Sequence, residues 1–356
     1  MYPIAVVGDN PAARAMLLAC QKSGLTKLTW VRTASGGSQP TADKLAPAYI
    51  LSANLSRIIQ ALLGTEALNK ASHAADREQV RFGKSAYLLS ELPLGDFCND
   101  RYGAPHVNIE ADDLMQLLTP ASVELEQAEL LQLEQDHEVV IKTDSDDAKT
   151  DSGVGTATHK LWHATSPFDA ALGKANITWL GKQQTIWQFT TPSKTHYLMA
   201  GPAHTPWQVS DWHPSLHQAL SSRVPHHDFE ITESHVREHW HAGHTVYVGD
   251  ANYQNNPYRP ECTALGLEDA WVLSRMLDNY EEDIGDGLRE YVKYRRPRAA
   301  KVAKNLDMLA QQHNLHTPMK RALRHLNTAF ATRFMPEIAM QRIDWLYNYD
   351  CIKGFR

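Results

Sequence analysis

The sequence lacks long apolar runs and paired cysteines. No stretch approaches the ~18 consecutive apolar residues that a membrane-spanning helix requires, and no charged segment precedes an apolar one at the amino terminus. The four cysteines are scattered without CxxC spacing, which is typical of free thiols in a reducing compartment. We therefore expect no membrane span and a cytoplasmic location.

The sequence also lacks an excess of basic residues. The chain has 35 Lys and Arg against 41 Asp and Glu, for a net charge of −6. Binding to a phosphate backbone requires a concentrated basic surface, so no nucleic-acid partner is expected. The 43% hydrophobic content and the length of 356 residues are those of a globular protein with one large or two smaller domains.

The most informative segment is residues 245–273. The β-branched and aromatic run from Thr245 to Val248 predicts a buried strand, which Gly249-Asp250 ends. A loop with two prolines then leads to apolar residues at helical spacing. A ligand could therefore lie against the start of this helix.

The amino terminus has a similar pattern. Residues 3–8 predict a short apolar strand, residues 9–13 a turn that enters an Ala- and Leu-rich helix, and residues 27–31 a second strand. This is a βαβ unit of the dinucleotide-binding type, in which a Gly-rich turn lets the backbone approach a pyrophosphate at a helix amino terminus.

The middle of the chain predicts sheet structure. Residues 80–93 have the pattern of a hairpin, and residues 177–181, 185–189 and 196–200 have that of consecutive strands separated by turns. Residues 121–164 alternate charged and apolar positions, which is typical of exposed hairpins and edge strands.

Several motifs resemble those of the single-component flavin-dependent aromatic hydroxylases, the para-hydroxybenzoate hydroxylase fold group. They are Gly249-Asp250-Ala251, the Leu-Glu-Asp-Ala of residues 267–270, the Tyr-x-x-x-Arg-Arg-Pro-Arg of residues 291–298, and the Trp-Leu-Tyr-Asn-Tyr-Asp of residues 345–350. The resemblance covers nearly the whole chain. It implies that Asp250 binds the flavin ribityl chain and that the loop with Pro257 and Cys262 lies beside the isoalloxazine ring.

Other family motifs are altered. Asn10 replaces the middle Gly of the first turn, and Val31, just before Arg32, stands where the family has the acid that holds the adenosine ribose. Ala111 replaces an Arg that reaches the cofactor, and Thr165-Ser166 aligns with the Asp-Gly of a strand end. The cofactor-binding residues that the resemblance implies are Gly8, Asn10, Pro11, Ala12, Ala13, Arg32, Gly249, Asp250, Pro257 and Cys262.

The resemblance implies an α/β fold with a Rossmann-like FAD-binding domain, an inserted mixed or antiparallel sheet domain for substrate, and carboxyl-terminal helices. We expect the FAD-binding domain to combine residues 1–75, 102–166 and 245–300. The substrate domain would take residues 76–101 and 167–244, and the helical segment residues 301–356. Strands 3–7 and 245–248 should be neighbours in one parallel sheet.

Two sets of residues leave alternatives open. Trp179, Trp187, Phe189 and Tyr197 could line an aromatic substrate pocket or belong to ordinary sheet core. The spacing from His235 to His239 superficially matches a zinc motif. That motif needs a helix, and the nearby Trp240, Gly243 and strand favour an extended, His-rich turn without metal.

Two functions remain. The first is an FAD-dependent monooxygenase that hydroxylates an aromatic or related ring, with NAD(P)H as reductant. The second is a flavin-free homologue that binds a small molecule or a partner protein. The first implies a small aromatic substrate, and a homodimer remains open in either case.

Overall fold

A computed structural model describes residues 2–33, 46–128, 130–144, 158–229, 235–254, 257–313 and 336–355. The strands are β1 (Ile4–Val7), β2 (Leu28–Thr33), β3 (Ala48–Leu51), β4 (His73–Ala74), β5 (Arg77–Phe82), β6 (Leu88–Pro93), β7 (Val107–Glu110), β8 (Leu125–Ala128), β9 (Val139–Lys142), β10 (His159–Pro167), β11 (Ala175–Leu180), β12 (Thr185–Thr190), β13 (Lys194–Pro202), β14 (Val224–Phe229), β15 (His235–Val236), β16 (His241–Ala242), β17 (Thr245–Tyr247) and β18 (Tyr253–Gln254). The helices are α1 (Pro11–Lys22), α2 (Ala53–Leu63), α3 (Thr65–Ala71), α4 (Gly95–Tyr102), α5 (Ala111–Leu117), α6 (Leu130–Asp136), α7 (His217–Ser222), α8 (Gly266–Asn279), α9 (Ile284–His313), α10 (Pro336–Gln341) and α11 (Asp344–Tyr347).

The first sheet has the strand order β16-β17-β9-β1-β2-β8 and is parallel from β17 to β8. β1 and β17 lie in this one sheet, as predicted, but they are not neighbours. β9 lies between them, and the expectation of exposed hairpins over residues 121–164 is wrong for this strand. Val139, Val140 and Ile141 are fully buried, because a central parallel strand is covered on both faces.

The second sheet has the order β14-β10-β13-β12-β11-β5-β6. The predicted hairpin of residues 80–93 is present as antiparallel β5 and β6. The three predicted strands of residues 177–200 are β11, β12 and β13, which pair in sequence order. Only the β5–β11 pair is parallel, so the described sheet is mixed and the predicted fold class is confirmed. The domain boundaries stay a prediction; β10, at one of them, pairs within this second sheet.

A buried group of charges joins α8 to α9. Arg295 donates to Glu268 Oε2 at 2.7 Å and to Asp269 Oδ1 at 2.6 Å, and Arg298 Nη2 donates to Glu268 Oε1 at 3.1 Å. Asn54, in α2, donates to the same Glu268 oxygen at 2.7 Å. Each carboxylate is therefore compensated although neither is exposed to solvent. The two arginines therefore brace the contact between α8 and α9.

None of the described helices is both long and apolar enough to cross a bilayer.

We predict that Arg295→Ala destabilises the protein by about 3–5 kcal/mol, because it leaves two buried carboxylates without their shared cation. The measurement is the free energy of unfolding in denaturant. Arg296→Ala is the matched control, since Arg296 lies next in the same helix but is exposed; its effect should stay within about 0.5 kcal/mol. Equal effects of the two variants would contradict the assignment.

Candidate active site

Three strands of the parallel sheet end beside one another at a single edge. β1 is followed by Gly8, β9 by Thr143 and Asp144, and β17 by Gly249 and Asp250. Open α/β sheets bind ligands outside the carboxyl ends of their strands. This edge, which comprises Gly8, Thr143, Asp144, Gly249 and Asp250 and which we call the strand edge, is therefore the candidate cofactor site.

The turn after β1 accepts only glycine at its first position. Gly8 has a φ of +124°, and a Cβ there would clash with Thr143 Oγ1 and lie 2.8 Å from Asp144 Oδ1. Asn10 Nδ2 donates to the Thr143 carbonyl oxygen and to Asp144 Oδ1, both at 3.1 Å. The first turn and the end of β9 thus form one hydrogen-bonded unit.

The predicted residues of the first turn divide into two groups. Asn10 caps α1, with its Oδ1 accepting from the Ala13 backbone N–H at 3.0 Å. Pro11 occupies the first helical position, and it is buried together with Ala12 and Ala13. Asn10 therefore contacts the strand edge, whereas the next three residues build the helix behind it.

The end of β2 offers no acid to a ribose. Val31 is fully buried. Trp30 donates from its indole nitrogen to the Gly8 carbonyl oxygen at 2.8 Å. The side chain of Arg32 lies outside the described part of the chain, so its predicted role stays a prediction. Arg14, in the first turn of α1, is paired with Asp9 at 2.8 Å.

The Gly-Asp segment forms a short 3-10 turn after β17. Gly249 has a φ of +61°, and its backbone N–H donates to Asp269 Oδ2 at 2.9 Å. Asp250 is exposed, and no described group donates a hydrogen bond to its carboxylate. The surrounding protein nevertheless displaces water at longer range, and this raises the pKa of Asp250 to about 7, with repulsion from Asp144 and Asp269 adding to the shift. The residue is thus an open hydrogen-bond acceptor.

Asp144 was not among the predicted site residues. The family resemblance places the strand-end acid at Thr165-Ser166, but those residues lie in β10 of the second sheet. The strand that ends at the first turn is β9 instead, and Asp144 follows it. The sequence pattern that could have predicted Asp144 is the apolar run Val139–Ile141, which precedes it by two residues. A short apolar run followed by an acid is typical of the end of a buried strand.

The loop before α8 touches the second sheet. Pro257 is half-buried, and the buried Tyr258 ring packs edge-on against Trp187 with centroids 5.8 Å apart. Cys262 packs into the main core, where burial raises its thiol pKa to about 12. Its backbone N–H donates to the Arg259 carbonyl oxygen at 2.9 Å. In this structure Cys262 therefore supports the loop rather than facing the strand edge.

The four predicted pocket aromatics lie on opposite faces of the second sheet, so they cannot line one pocket. Trp187 and Phe189 lie on the face that packs on Tyr258, which we call the Tyr258 face. Trp179 and Tyr197 lie on the other face, in a layer with Trp212. The reason is the two-residue period of a strand, which sends neighbouring strand positions to opposite faces. Only Trp187 and Phe189 remain candidates for a pocket wall.

The histidine-rich segment is extended where it is described. β15 pairs with β18, and β16 pairs with β17 at the edge of the first sheet. Within the described residues, no three His, Cys, Asp or Glu side chains come together in a way that could hold a metal ion.

No family model matches the chain. It is 22% identical to a 3-amino-4-hydroxybenzoate 2-monooxygenase of Streptomyces platensis, over 98% of this chain and 96% of that protein. It is 21% identical to a 6-hydroxynicotinate 3-monooxygenase of Bordetella bronchiseptica, over 87% of each chain.

Among solved structures, the fold is similar to that of Klebsiella pneumoniae HpxO complexed with FAD and uric acid. The TM-score is 0.75 at 14% identity, over 96% of this chain and 97% of that one. Over most or all of its length the chain is therefore similar in sequence to aromatic monooxygenases and in fold to an FAD-bound one, which confirms the resemblance noted from its motifs.

Proposed function

We propose that the protein is an FAD-dependent monooxygenase that hydroxylates an aromatic ring. The observation that carries the proposal is the open carboxylate of Asp250 at the end of β17, in a family whose corresponding Asp binds the flavin ribityl chain. The monooxygenase names of the whole-length relatives support it.

The residues at the strand edge fit one end of FAD better than the other. Asp250 can accept hydrogen bonds from ribityl hydroxyls, and the Gly8 turn leads into the amino terminus of α1, which favours a pyrophosphate. Val31 gives the adenosine ribose no polar partner, and Asn10 occupies space that a glycine would leave open. We infer that FAD binds here with fewer contacts at its adenosine end.

A bound flavin supplies the redox chemistry, taking electrons from NAD(P)H and activating oxygen. The protein's own part is to hold the ring system, exclude water and orient the substrate. Trp187, Phe189 and Tyr258 form a buried apolar aromatic cluster on the Tyr258 face, and such a wall is suited to that task. The absence of an acid–base triad from the predicted residues therefore does not argue against this function.

The altered adenosine end also favours the alternative, a flavin-free binding protein, but the whole-length relatives support the enzyme.

All four cysteines are free and buried, which supports the proposed cytoplasmic location. We propose a small aromatic substrate, since the compared relatives are named for hydroxylated aromatic acids. A homodimer remains a proposal.

We predict that the protein binds FAD weakly and is pale as purified. Losing one charge-assisted hydrogen bond of the kind that Val31 cannot make forgoes about 1.5–3 kcal/mol, and each ~1.4 kcal/mol is tenfold in affinity. The measurement is the absorption spectrum in the flavin bands, before and after adding FAD and then desalting. Colour should appear with FAD and be lost again on desalting.

The matched variant is Asn10→Gly, which removes the side chain from the first turn and should increase FAD retention. Stoichiometric yellow protein as isolated would contradict weak binding while supporting the enzyme. No uptake at high FAD would instead favour the flavin-free alternative.

We predict that Asp250→Ala lowers the affinity for FAD about tenfold or more, because the ribityl chain loses its carboxyl acceptor. Uptake is measured by the same spectral titration. Asp278→Ala is the control, since Asp278 is exposed near the end of α8, away from the strand edge. Unchanged uptake by Asp250→Ala would show that the segment is wrongly assigned.

We predict that Asp250→Asn raises the stability of the flavin-free protein at high pH. The folded-state pKa is raised from 3.8 to about 7, so the folded protein holds a proton that the unfolded chain has lost. The contribution of Asp250 to the free energy of unfolding therefore falls as the pH rises from 3.8 to about 7, and it stays low above that pH. The midpoint of thermal unfolding should be higher for the variant than for the unaltered protein at pH 8, and the two midpoints should be equal at pH 4. A difference at pH 4 that disappears at pH 8 would contradict the raised pKa.

A further inference from the structure

Three side chains from distant parts of the sequence form a continuous chain of hydrogen bonds beside the Tyr258 face. Glu110 Oε1 lies 2.9 Å from His196 Nε2, and His196 Nδ1 lies 3.3 Å from His163 Nε2. Glu110 ends β7, His196 lies in β13, and His163 lies in β10. We call this the Glu110–His196–His163 chain.

Glu110 is held as a carboxylate. Besides His196, its Oε1 accepts from Thr191 Oγ1 at 2.5 Å and from Ser193 Oγ at 3.1 Å. Burial by itself would raise the pKa of Glu110, but the hydrogen bonds from His196 and Thr191 outweigh it and lower the pKa to about 2. At neutral pH the carboxylate can therefore only accept hydrogen bonds.

This carboxylate sets the direction of every hydrogen bond in the chain. His196 must donate from Nε2 to Glu110, so in a neutral ring its Nδ1 is the acceptor. His163 must then donate from Nε2 to His196, which leaves Nδ1 of His163 as an acceptor. The described residues supply no hydrogen-bond partner for that nitrogen.

His163 stays neutral near pH 7. Burial lowers the pKa of His163 to about 4, and the neighbouring His196 and His226 add to the shift. Glu110 acts in the opposite direction, and Lys194 acts with the histidines. The ring therefore keeps its acceptor nitrogen rather than becoming a double donor.

The Glu110–His196–His163 chain adjoins the buried aromatic cluster that the proposed function assigns to the substrate pocket. The Phe189 ring stacks on His196 with centroids 5.4 Å apart and planes 12° apart. His163 lies directly across from Leu198, which belongs to the Tyr258 face. Glu110 also immediately precedes Ala111, where family members carry an Arg that reaches the cofactor. His163 itself is half-buried, so a ligand can approach it.

We propose that His163 determines specificity: its Nδ1 accepts a hydrogen bond from a hydroxyl group on the aromatic substrate, and His196 and Glu110 act as positioning residues that keep it an acceptor. The inference rests on the proposed function. A site built to accept such a hydrogen bond disfavours an analogue that lacks the donor, because the acceptor is then left unpaired. The substrate class is a hydroxylated ring rather than its ether.

Binding tests the proposal separately from turnover. Dissociation constants of FAD-loaded protein are measured by calorimetry for a panel of hydroxybenzoates and hydroxypyridines and for their O-methyl ethers. At least one hydroxyl compound should bind about tenfold more tightly than its ether. His163→Phe should abolish that preference, whereas His213→Gln, a histidine stacked on Trp179 at the other face, should retain it. A panel with no preference for the hydroxyl overturns the proposal.

The positioning role has its own readout. Nitrogen NMR of histidine-labelled protein should show His163 and His196 each carrying a proton at Nε2, with Nδ1 of His163 unprotonated. Glu110→Gln keeps an acceptor oxygen and should retain both the tautomers and the preference, whereas Glu110→Ala should lose both. Protonation of His163 at Nδ1 in the unaltered protein, or an unchanged preference in Glu110→Ala, would overturn the positioning role. Absence of hydroxylated product with the preference intact would count against the monooxygenase alone.

Discussion

The buried ion pairs between α8 and α9 are the constraint on which the site depends. Glu268 and Asp269 begin α8 without solvent, and Arg295 and Arg298 compensate them. Asp269 also accepts the hydrogen bond of the Gly249 backbone, so the same charge that pairs with Arg295 fixes the turn that carries Asp250. A buried charge is stable only when it is fully paired. The position of the Gly249-Asp250 turn is therefore fixed by the buried charges of the core.

The electrostatics of the strand edge favour the ribityl end of the proposed cofactor site over its pyrophosphate end. Asp144 and Asp250 approach each other closely enough for Asp144 to raise the pKa of Asp250, and Arg14 is already paired with Asp9. A ribityl chain offers hydroxyl donors, which suit carboxylates. A pyrophosphate carries negative charge, which carboxylates oppose and the α1 amino terminus favours.

The second sheet brings apolar and polar functions together by alternation. Trp187 and Phe189 place a buried aromatic cluster on its Tyr258 face, and His163 and His196 lie on that same face in the neighbouring strands. Glu110 reaches this surface from β7, outside the second sheet. The His163 acceptor nitrogen can therefore lie beside apolar side chains. Small-molecule sites usually combine apolar walls with a few such polar groups.

The sequence by itself determined the elements whose evidence is local: the strand at 245–248 with its Gly-Asp turn, the βαβ start, the hairpin of residues 80–93 and the helix with Arg295 and Arg298. Periodicity and turn chemistry act between near neighbours, so they can be read without a structure. Only the tertiary structure decided that β9 separates β1 from β17, that Asp144 lies at the first turn, and that Trp179 and Trp187 face opposite ways. The Glu110–His196–His163 chain likewise could not be predicted from the sequence. Strand pairing and register join residues far apart in the chain, and a shift of one position exchanges the two faces of a sheet.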